Sequence, residues 1–227
     1  MELKNAIKSR ISVRGFKKDP VSKEILTDII QTSLRAPSGL NTQPWDITVI
    51  TGAVLEEVRK GIVDMLSSGG QPKPDFPGNF KPLEGVYKER QRALGFELYR
   101  LLGIGRDDKK KRLEWTMHGF RGFEAPAAIY LSMTESLIDS AAMRLSISDL
   151  GGLAQTICLV ALDYGLGTCI NDQGVMFSEV VHKVTGIPTS KKLHLCIAIG
   201  YPDWDHPANK LISARESVEK IVEWIGF

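Results

Sequence analysis

Hydrophobic residues near the start of the chain recur every three to four positions, which is the spacing of an amphipathic helix. Residues 2–10 carry Leu3, Ala6 and Ile7 on one such stripe, with Arg10 at its end. The pattern breaks in the following segment, ISVRGF. A first short helix is therefore predicted to end before this segment.

A second helix is predicted to begin after Ser22, whose side chain can act as the N-cap. Val21 and Leu26 stand at the spacing of a hydrophobic staple, and Pro37 prevents the helix from continuing further. The predicted buried face consists of Ile25, Ile29 and Ile30.

Further along, apolar runs predict three strands separated by helices of unequal length. The predicted strands are 46–51 (DITVIT), 125–133 (APAAIYLSM) and 193–200 (LHLCIAIG). The predicted helices are 54–66, 83–103, 147–165, 177–186 and an amphipathic closing helix over 216–227. Helices outnumber strands, and the connections are irregular, which favours an α+β fold over regular βαβ winding.

One segment interrupts this order. Residues 67–82 contain four of the eleven prolines and predict an irregular connection. The amphipathic helix over 83–103 and the charged segment 106–115 follow it, and together they are expected to form a helical lid. We therefore predict a single domain over 1–227 in which 67–122 form a loop and helical lid excursion.

The composition narrows the classes of partner. The chain has 29 Lys and Arg against 27 Asp and Glu, a net charge of +2 that predicts neither a nucleic-acid nor a membrane surface. The most apolar window, 151–167, is interrupted by Gln155 and Asp163 and fits a buried helix better than a membrane span. The first residues lack a signal-peptide pattern, so a cytoplasmic location is expected.

Several familiar kinds of catalytic site are not indicated. The sequence contains no GxSxG, no HExxH, no Walker A motif and no complete GxGxxG fingerprint. The three cysteines are an odd number without CxxC spacing, which argues against a disulfide framework and a zinc site. No metal site is expected.

Arginines offer the remaining candidate chemistry. Arg10 and Arg14 flank Ser12, and Arg215 lies near the other end of the chain. A guanidinium group can grip phosphate oxygens at two points, and a serine hydroxyl can add another hydrogen bond. From spacing alone, however, surface arginines with solvated guanidinium groups are the favoured interpretation.

Four motifs, taken in order, resemble one family. They are SRISVRGF at 9–16, APSGLNTQPW at 36–45, DYGLGTCIND at 163–172 and IAIGYPDWDHPANKLISAR at 197–215. In this order and at these separations the chain resembles the FMN-dependent nitroreductase family, in particular its nitrobenzoate-reductase-like branch. The resemblance spans almost the whole chain.

The resemblance implies a central, mainly antiparallel sheet flanked by helices, in a domain-interlocked homodimer. Each of two clefts at the subunit interface would hold FMN, with contacts from both chains. The 36–45 segment would come from the partner subunit, where uncharged groups suit a neutral ring, since an unpaired charge there would cost desolvation energy. Its implied cofactor contacts are Pro37, Ser38, Gly39 and Asn41.

The resemblance also assigns roles to the other motifs. It implies that Arg10, Ser12 and Arg14 hold the phosphate and the pyrimidine edge, with Arg215 completing the phosphate clamp. Ile170, Asn171 and Asp172 fall where the family places backbone near flavin N5, although this turn departs from members with an acidic residue and glycine, which leaves the N5 donor open. Phe120 and Phe123 either stack on the substrate side of the ring or anchor the lid to the core.

The implied reaction is a ping-pong cycle. NAD(P)H, as a transient co-substrate, gives hydride to flavin N5, and a small aromatic electron acceptor, nitroaromatic or quinone, then enters the same cleft. No catalytic side chain is required, because the cofactor carries the chemistry. Two alternatives remain open: reductive dehalogenation or another flavin reaction of the superfamily, and a flavin-binding sensor without turnover.

Overall fold

A computed structural model of the chain describes residues 2–76 and 81–227. These described residues form four strands and nine α-helices, several of them short. The strands are β1 (Asp46–Thr51), β2 (Ala127–Thr134), β3 (Gly167–Ile170) and β4 (Lys191–Gly200). The helices are α1 (Leu3–Ser9), α2 (Lys23–Ser33), α3 (Gly52–Ser67), α4 (Gly85–Leu101), α5 (Lys109–Phe120), α6 (Glu135–Ile138), α7 (Met143–Val160), α8 (Ser178–Thr185) and α9 (Val218–Ile221).

The four strands form one sheet in the order β1-β2-β4-β3, and every neighbouring pair is antiparallel. The two central strands, β2 and β4, share the longest ladder, which places Ile129 opposite Ile197. A register shift between Leu131 and Ser132 marks a bulge in β2. The predicted α+β fold with a mainly antiparallel sheet is confirmed.

Helices cover both faces of the sheet. Successive residues of β2 point to opposite faces, so Ile129 packs in one core with α2 and α7, and Tyr130 in a second core with α3 and α8. Both residues are buried, at 0% and 2% exposure. Because both faces are covered, β2 and β4 read as nearly continuous apolar runs in the sequence.

Helix α7 is the most apolar helix of the protein. The stretch Met143–Tyr164 is long and apolar enough to cross a membrane by length and composition alone. Its residues Leu150, Leu153 and Ile157 are nevertheless fully buried against the sheet. This burial agrees with the predicted core helix.

The start of α2 follows the predicted capping chemistry. Ile25 N donates to Ser22 Oγ at 3.3 Å, and the staple residues Val21 and Leu26 are both buried. Of the three residues predicted for its buried face, Ile29 is fully buried, whereas Ile25 and Ile30 are partly exposed. The local sequence therefore determines where this helix begins.

Three elements differ from the sequence prediction, one of which is the unpredicted four-residue helix α6. Strand β3 was not predicted, because four residues are too few to show a periodic pattern. The closing helix over 216–227 is wrong: only Val218–Ile221 are helical. Trp224, Ile225 and Phe227 are exposed at 65%, 80% and 100%, so the described chain offers this segment no surface against which a helix could pack.

The proline-rich connection, residues 67–82, is held to the core through the side chains of Asp75 and His182. His182 Nε2 lies 2.8 Å from Asp75 Oδ2, and Leu193 N donates to the same oxygen at 2.8 Å. The other ring nitrogen of His182 lies 2.8 Å from Ile187 O. The side chains of Asp75 and His182 are only 12% and 7% exposed. Residues 77–80 of the predicted excursion lie outside the described residues, and its role as a lid remains a prediction.

Replacing Asp75 should destabilise the fold. Asp75→Ala would leave the buried Leu193 N–H and the His182 ring without their shared acceptor. An unsatisfied buried donor costs roughly 1–3 kcal/mol, so a loss of about 2–4 kcal/mol is expected from urea unfolding. Asp64→Ala, which removes an exposed ion pair with Lys60, is the control and should change little. Equal midpoints for the two variants would contradict the fastening role of Asp75.

Candidate functional site

The segment after α1 runs along the outer edge of β3. Val13 N donates to Thr168 O at 2.9 Å, and Ser12 bridges Thr168 in parallel register. Beyond it, Lys17 N donates to Tyr201 O at 2.8 Å. This pairing fixes the backbone that carries the three N-terminal phosphate-binding candidates.

Two glycines permit the close approach of this segment. A Cβ on Gly167 would lie 2.5 Å from Val13 Cγ2, and one on Gly15 would lie 2.3 Å from His206 Cγ. Any side chain at either position would force the neighbouring elements apart. The glycine in the RGF sequence is therefore required by packing.

The pairing gathers Arg10, Ser12 and Arg14 around one buried thiol. Burial raises the pKa of Cys169 to about 11, while Arg14, the Ser12 hydroxyl and Arg10 oppose this rise. Both arginines are half-buried. Within residues 2–76 and 81–227 neither forms an ion pair, and Arg14 Nη1 donates only to Ser12 O, at 3.2 Å. Half-buried cations without a counter-ion are suited to an anionic ligand.

Asn209 holds the backbone at Arg14. Its Oδ1 accepts from Arg14 N at 2.6 Å, and its Nδ2 donates to Gly15 O at 2.8 Å and Asp203 O at 2.7 Å. Asn209 is 4% exposed, so these three bonds satisfy a buried amide. Asn209 therefore has a structural role, holding the backbone of the Arg14 segment to the 203–209 turn.

The side chains of His118 and His206 pack against the segment that carries Arg14 and Gly15. His118 Nε2 lies 3.1 Å from Arg14 O, and its ring stacks on that of His206 with centroids 6.0 Å apart. Burial lowers the pKa of both histidines. A neutral His118 must then carry its proton on Nε2, since a carbonyl oxygen only accepts.

The turn after β3 presents its two outer residues to solvent. Asn171 is buried at 3% exposure, whereas the Ile170 side chain is 43% exposed and Asp172 is exposed. Asn171 N donates to Cys196 O at 2.7 Å, and its Nδ2 donates to Gly119 O at 2.9 Å. Because Asn171 is bonded inside the protein, a ligand at this turn would meet Ile170 and Asp172.

One cleft of about 380 Å³ connects these features. Its wall includes the predicted site residues Arg14, Phe123, Ile170, Asn171 and Asp172, together with the aromatic side chains of Tyr99 and Trp115. The aromatic side chains offer flat apolar surface, and Arg14 and the turn offer polar groups. The arrangement suits a planar, anionic ligand.

The two predicted substrate residues occupy different surroundings. Phe123 borders the cleft but is only 6% exposed, and its ring packs on Trp115 with centroids 6.0 Å apart. Phe120 packs on Phe177 in the second core, with centroids 5.8 Å apart, and is not among the cleft residues. These contacts favour the anchoring interpretation for Phe120, whereas a substrate contact of Phe123 stays a prediction.

The 36–45 loop lies elsewhere, against α7. Gly39 N and Ser38 Oγ donate to Asp149 Oδ2 at 3.0 Å and 3.3 Å, and Gln43 N donates to Ser38 Oγ at 2.7 Å. Leu40, Asn41 and Gln43 have positive φ angles of 55°, 55° and 45°. No residue of this loop, Pro37 included, lines the cleft described above. Such left-handed residues cost energy and concentrate at functional positions.

Arg215 also stands apart from the cleft. Its Nη1 donates to Ser213 O at 3.1 Å, Ser213 Oγ at 2.7 Å and Ala214 O at 2.9 Å. The neighbouring Glu216 accepts from Arg90 Nε at 3.2 Å and so links this segment to α4. A phosphate contact by Arg215 would require its side chain to leave these local acceptors.

Sequence inspection missed the residues that support the site. Asp149, His118 and the buried Arg59 bond partners 110, 104 and 66 positions away along the chain. No local motif signals such pairs. For Asp149, the one local sign that could have been used is its position as an acidic residue in the largely apolar α7.

Comparison with known proteins supplies the family. The 4-nitrobenzoate reductase of Nocardioides sp. (strain LMS-CY) is 29% identical over 96% of this chain and 88% of its own. The crystal structure of an FMN and NADPH-dependent nitroreductase, NfnB from Sphigopyxis sp. strain HMH, superposes with a TM-score of 0.92 at 30% identity, covering all of both chains. The FMN-dependent NfnB from Mycobacterium smegmatis in complex with NADPH gives a TM-score of 0.89 at 26% identity, covering 98% of this chain and 97% of its own.

The match to the family itself runs through most of the chain. Residues 7–201 match the nitroreductase family, and they include the β3-edge segment, the 36–45 loop and all four strands. The chain belongs to the nitroreductase family.

Proposed function

We propose that the chain is an NAD(P)H-dependent enzyme that uses bound FMN to reduce nitroaromatic compounds, with quinones as a second class of acceptor. One observation carries the proposal: Arg14 lines a cleft with aromatic walls, Arg10 lies on the same β3-edge segment, and neither half-buried arginine forms an ion pair with a described residue. A relative that is 30% identical over the full chain is an FMN and NADPH-dependent nitroreductase, which supports the same conclusion.

The residues present fit the phosphate end of FMN. Arg10, Ser12 and Arg14 converge on the β3 edge, where the arginines have no acidic partner among the described residues. A phosphate there would receive charge-assisted hydrogen bonds, which are stronger than neutral ones. Arg215 would join them from the segment beside α4.

The residues also fit the ring end. Ile170 and Asp172 line the cleft, and hydrogen bonds of Asn171 inside the protein fix this turn. Pro37, Ser38, Gly39 and Asn41 would approach from a second copy of the chain, because their loop lies away from the cleft of its own subunit. Uncharged groups suit a ring that carries amide-like edges.

Bound FMN would supply the redox chemistry, taking a hydride from NAD(P)H and passing two electrons to the acceptor. The protein side chains then have positioning tasks. Arg14 would orient the cofactor, Trp115 and Tyr99 would present flat surface and exclude water, and the 170–172 turn would offer backbone polar groups. None of these tasks requires a nucleophile or a general base.

A homodimer is the working form in this proposal. Leu3 and Ile7 on α1 are 68% and 52% exposed, and Trp224, Ile225 and Phe227 at the other end are more than half exposed. Exposed apolar groups of this number are typical of surfaces that a partner covers. A second copy would bury them and complete both clefts.

A cytoplasmic location fits the same chemistry. All three cysteines are free and buried, as expected of a chain kept in a reducing compartment. NAD(P)H is available in the same compartment.

The purified protein should be yellow, and its flavin absorbance should bleach when NADH or NADPH is added without air. Addition of 4-nitrobenzoate should restore the colour. Spectra recorded in an anaerobic cuvette test both steps. A flavin that neither nucleotide bleaches would identify a binding protein without turnover, and a protein that takes up no FMN would refute the proposal.

Arg10→Ala should weaken FMN binding, because it removes a half-buried cation from the phosphate end. Loss of one charge-assisted hydrogen bond, roughly 1.5–3 kcal/mol, corresponds to an increase in Kd of about tenfold to 150-fold. Fluorescence titration of the apoprotein measures it. Arg215→Ala tests the fourth member of the clamp in the same way.

Arg100→Ala is the matched control for both arginine variants, since Arg100 is exposed and paired with Glu97. It should leave the Kd of FMN unchanged. An unchanged Kd in Arg10→Ala would remove Arg10 from the phosphate site.

Asn209→Asp should weaken FMN binding by displacing Arg14. The carboxylate would face the carbonyl oxygens of Gly15 and Asp203, to which the amide now donates. Losing two buried hydrogen bonds costs roughly 2–4 kcal/mol of stability, and the backbone at Arg14 should shift. Thermal unfolding and FMN titration measure the two effects. Asp205→Asn, an exposed change in the same loop, is the control and should alter neither the stability nor the FMN affinity. Equal behaviour of the two variants would contradict the positioning role of Asn209.

A further inference from the structure

A second cavity lies inside the protein, between α3 and the two turns that border the cleft. It measures about 20 Å³, counted as the space open to the centre of a water molecule. Its wall includes Arg59, Gly122, Tyr130, Asn171 and Cys196. A site of roughly 10–15 Å³ in this measure is enough for one water molecule, so the cavity holds one small ligand and no more.

Arg59 brings an unsatisfied donor to this cavity. Its side chain is 8% exposed, its Nη1 donates to Glu56 Oε1 at 2.5 Å, and its Nη2 donates to Ala125 O. The third donor nitrogen, Nε, is buried, and its N–H has no partner among the described residues. Buried polar groups are nearly always hydrogen-bonded, and cavities that stay dry are lined by apolar groups alone.

The charges around Arg59 select a neutral ligand. Glu56 pairs with the guanidinium directly, and Glu124 Oε2 lies 4.0 Å from Nη1. The single positive charge is therefore already compensated by carboxylates. A small anion such as chloride would add uncompensated negative charge to a buried site, which is costly.

Tyr130 offers the acceptor that such a ligand needs. Its side chain is buried, at 2% exposure, and lines the cavity together with Arg59 and Cys196. A phenol hydroxyl donates one hydrogen and keeps lone pairs that can accept a hydrogen bond from a water molecule. Burial raises the pKa of Tyr130, which keeps the hydroxyl protonated.

We propose that this cavity binds one structural water molecule, which accepts from Arg59 Nε and donates to Tyr130 Oη. The water would join α3 to strand β2, in a cavity whose wall also includes Gly122 and Asn171 from the turns at 122–124 and 171–174. The proposal concerns the folded chain itself and does not depend on the proposed reaction.

A high-resolution crystal structure of the purified, flavin-loaded protein tests the proposal directly. We expect one ordered peak at about 2.7–3.2 Å from Arg59 Nε, within the same range of Tyr130 Oη. An empty cavity, or Nε bonded to a protein atom, would overturn the proposal. So would a peak with the anomalous signal of chloride, since the ligand must be neutral.

Two variants test whether the water molecule depends on the Tyr130 hydroxyl. Tyr130→Phe removes only the hydroxyl and should leave the peak absent or displaced from Nε. Lys60→Met, an exposed change on the same helix, is the control and should retain the peak. A water unchanged in Tyr130→Phe would show that Tyr130 is not its acceptor and would refute the proposed pairing. Should Tyr130→Phe fail to crystallise, the peak in the unmodified protein decides.

Discussion

The candidate site depends on strand β4 being paired along both edges. On one side β4 joins β2, and on the other it joins the short β3. The second pairing continues past β3 through the bond from Asn171 N to Cys196 O, and so fixes the turn at 170–172 at the rim of the cleft. The free edge of β3 then receives the segment that carries Arg10, Ser12 and Arg14. This one sheet edge therefore places two groups of predicted cofactor contacts, whereas the 36–45 loop and Arg215 lie apart from it.

Long, strongly patterned elements could be predicted from the sequence, because their signals are local. Ser22 caps α2 as expected, and the apolar runs that became β1, β2 and β4 lie where the pattern places them. Strand β3 could not be found this way, since its four residues form a strand only because β4 lies beside them. The closing amphipathic pattern failed for the opposite reason: the periodicity is present, but in this chain it has no surface to cover.

The site could be predicted in parts. The resemblance to a family pointed to the arginines, the 36–45 loop and the 170–172 turn, and the structure brings Arg14 and the turn into one cleft. The contacts that support them are between residues far apart in the chain, such as Asn209 with Arg14, and leave no trace in the local sequence. Backbone strain is likewise visible only in three dimensions. Among the described residues, positive φ angles outside glycine occur only at Leu40, Asn41, Gln43, Phe123 and Glu124, in two segments that both carry predicted site residues.

The hydrogen bonds that Asn171 forms inside the protein limit which residues of the 170–172 turn can change during evolution. Its backbone N–H and both ends of its side-chain amide are satisfied inside the protein, by Cys196, Gly119 and Gln173. Ile170 and Asp172 on either side are exposed and line the cleft. Substitution at these two exposed positions can therefore change the electrostatic character of the cleft entrance during evolution without rebuilding the turn. Variation at position 171, by contrast, would dismantle the support beneath it.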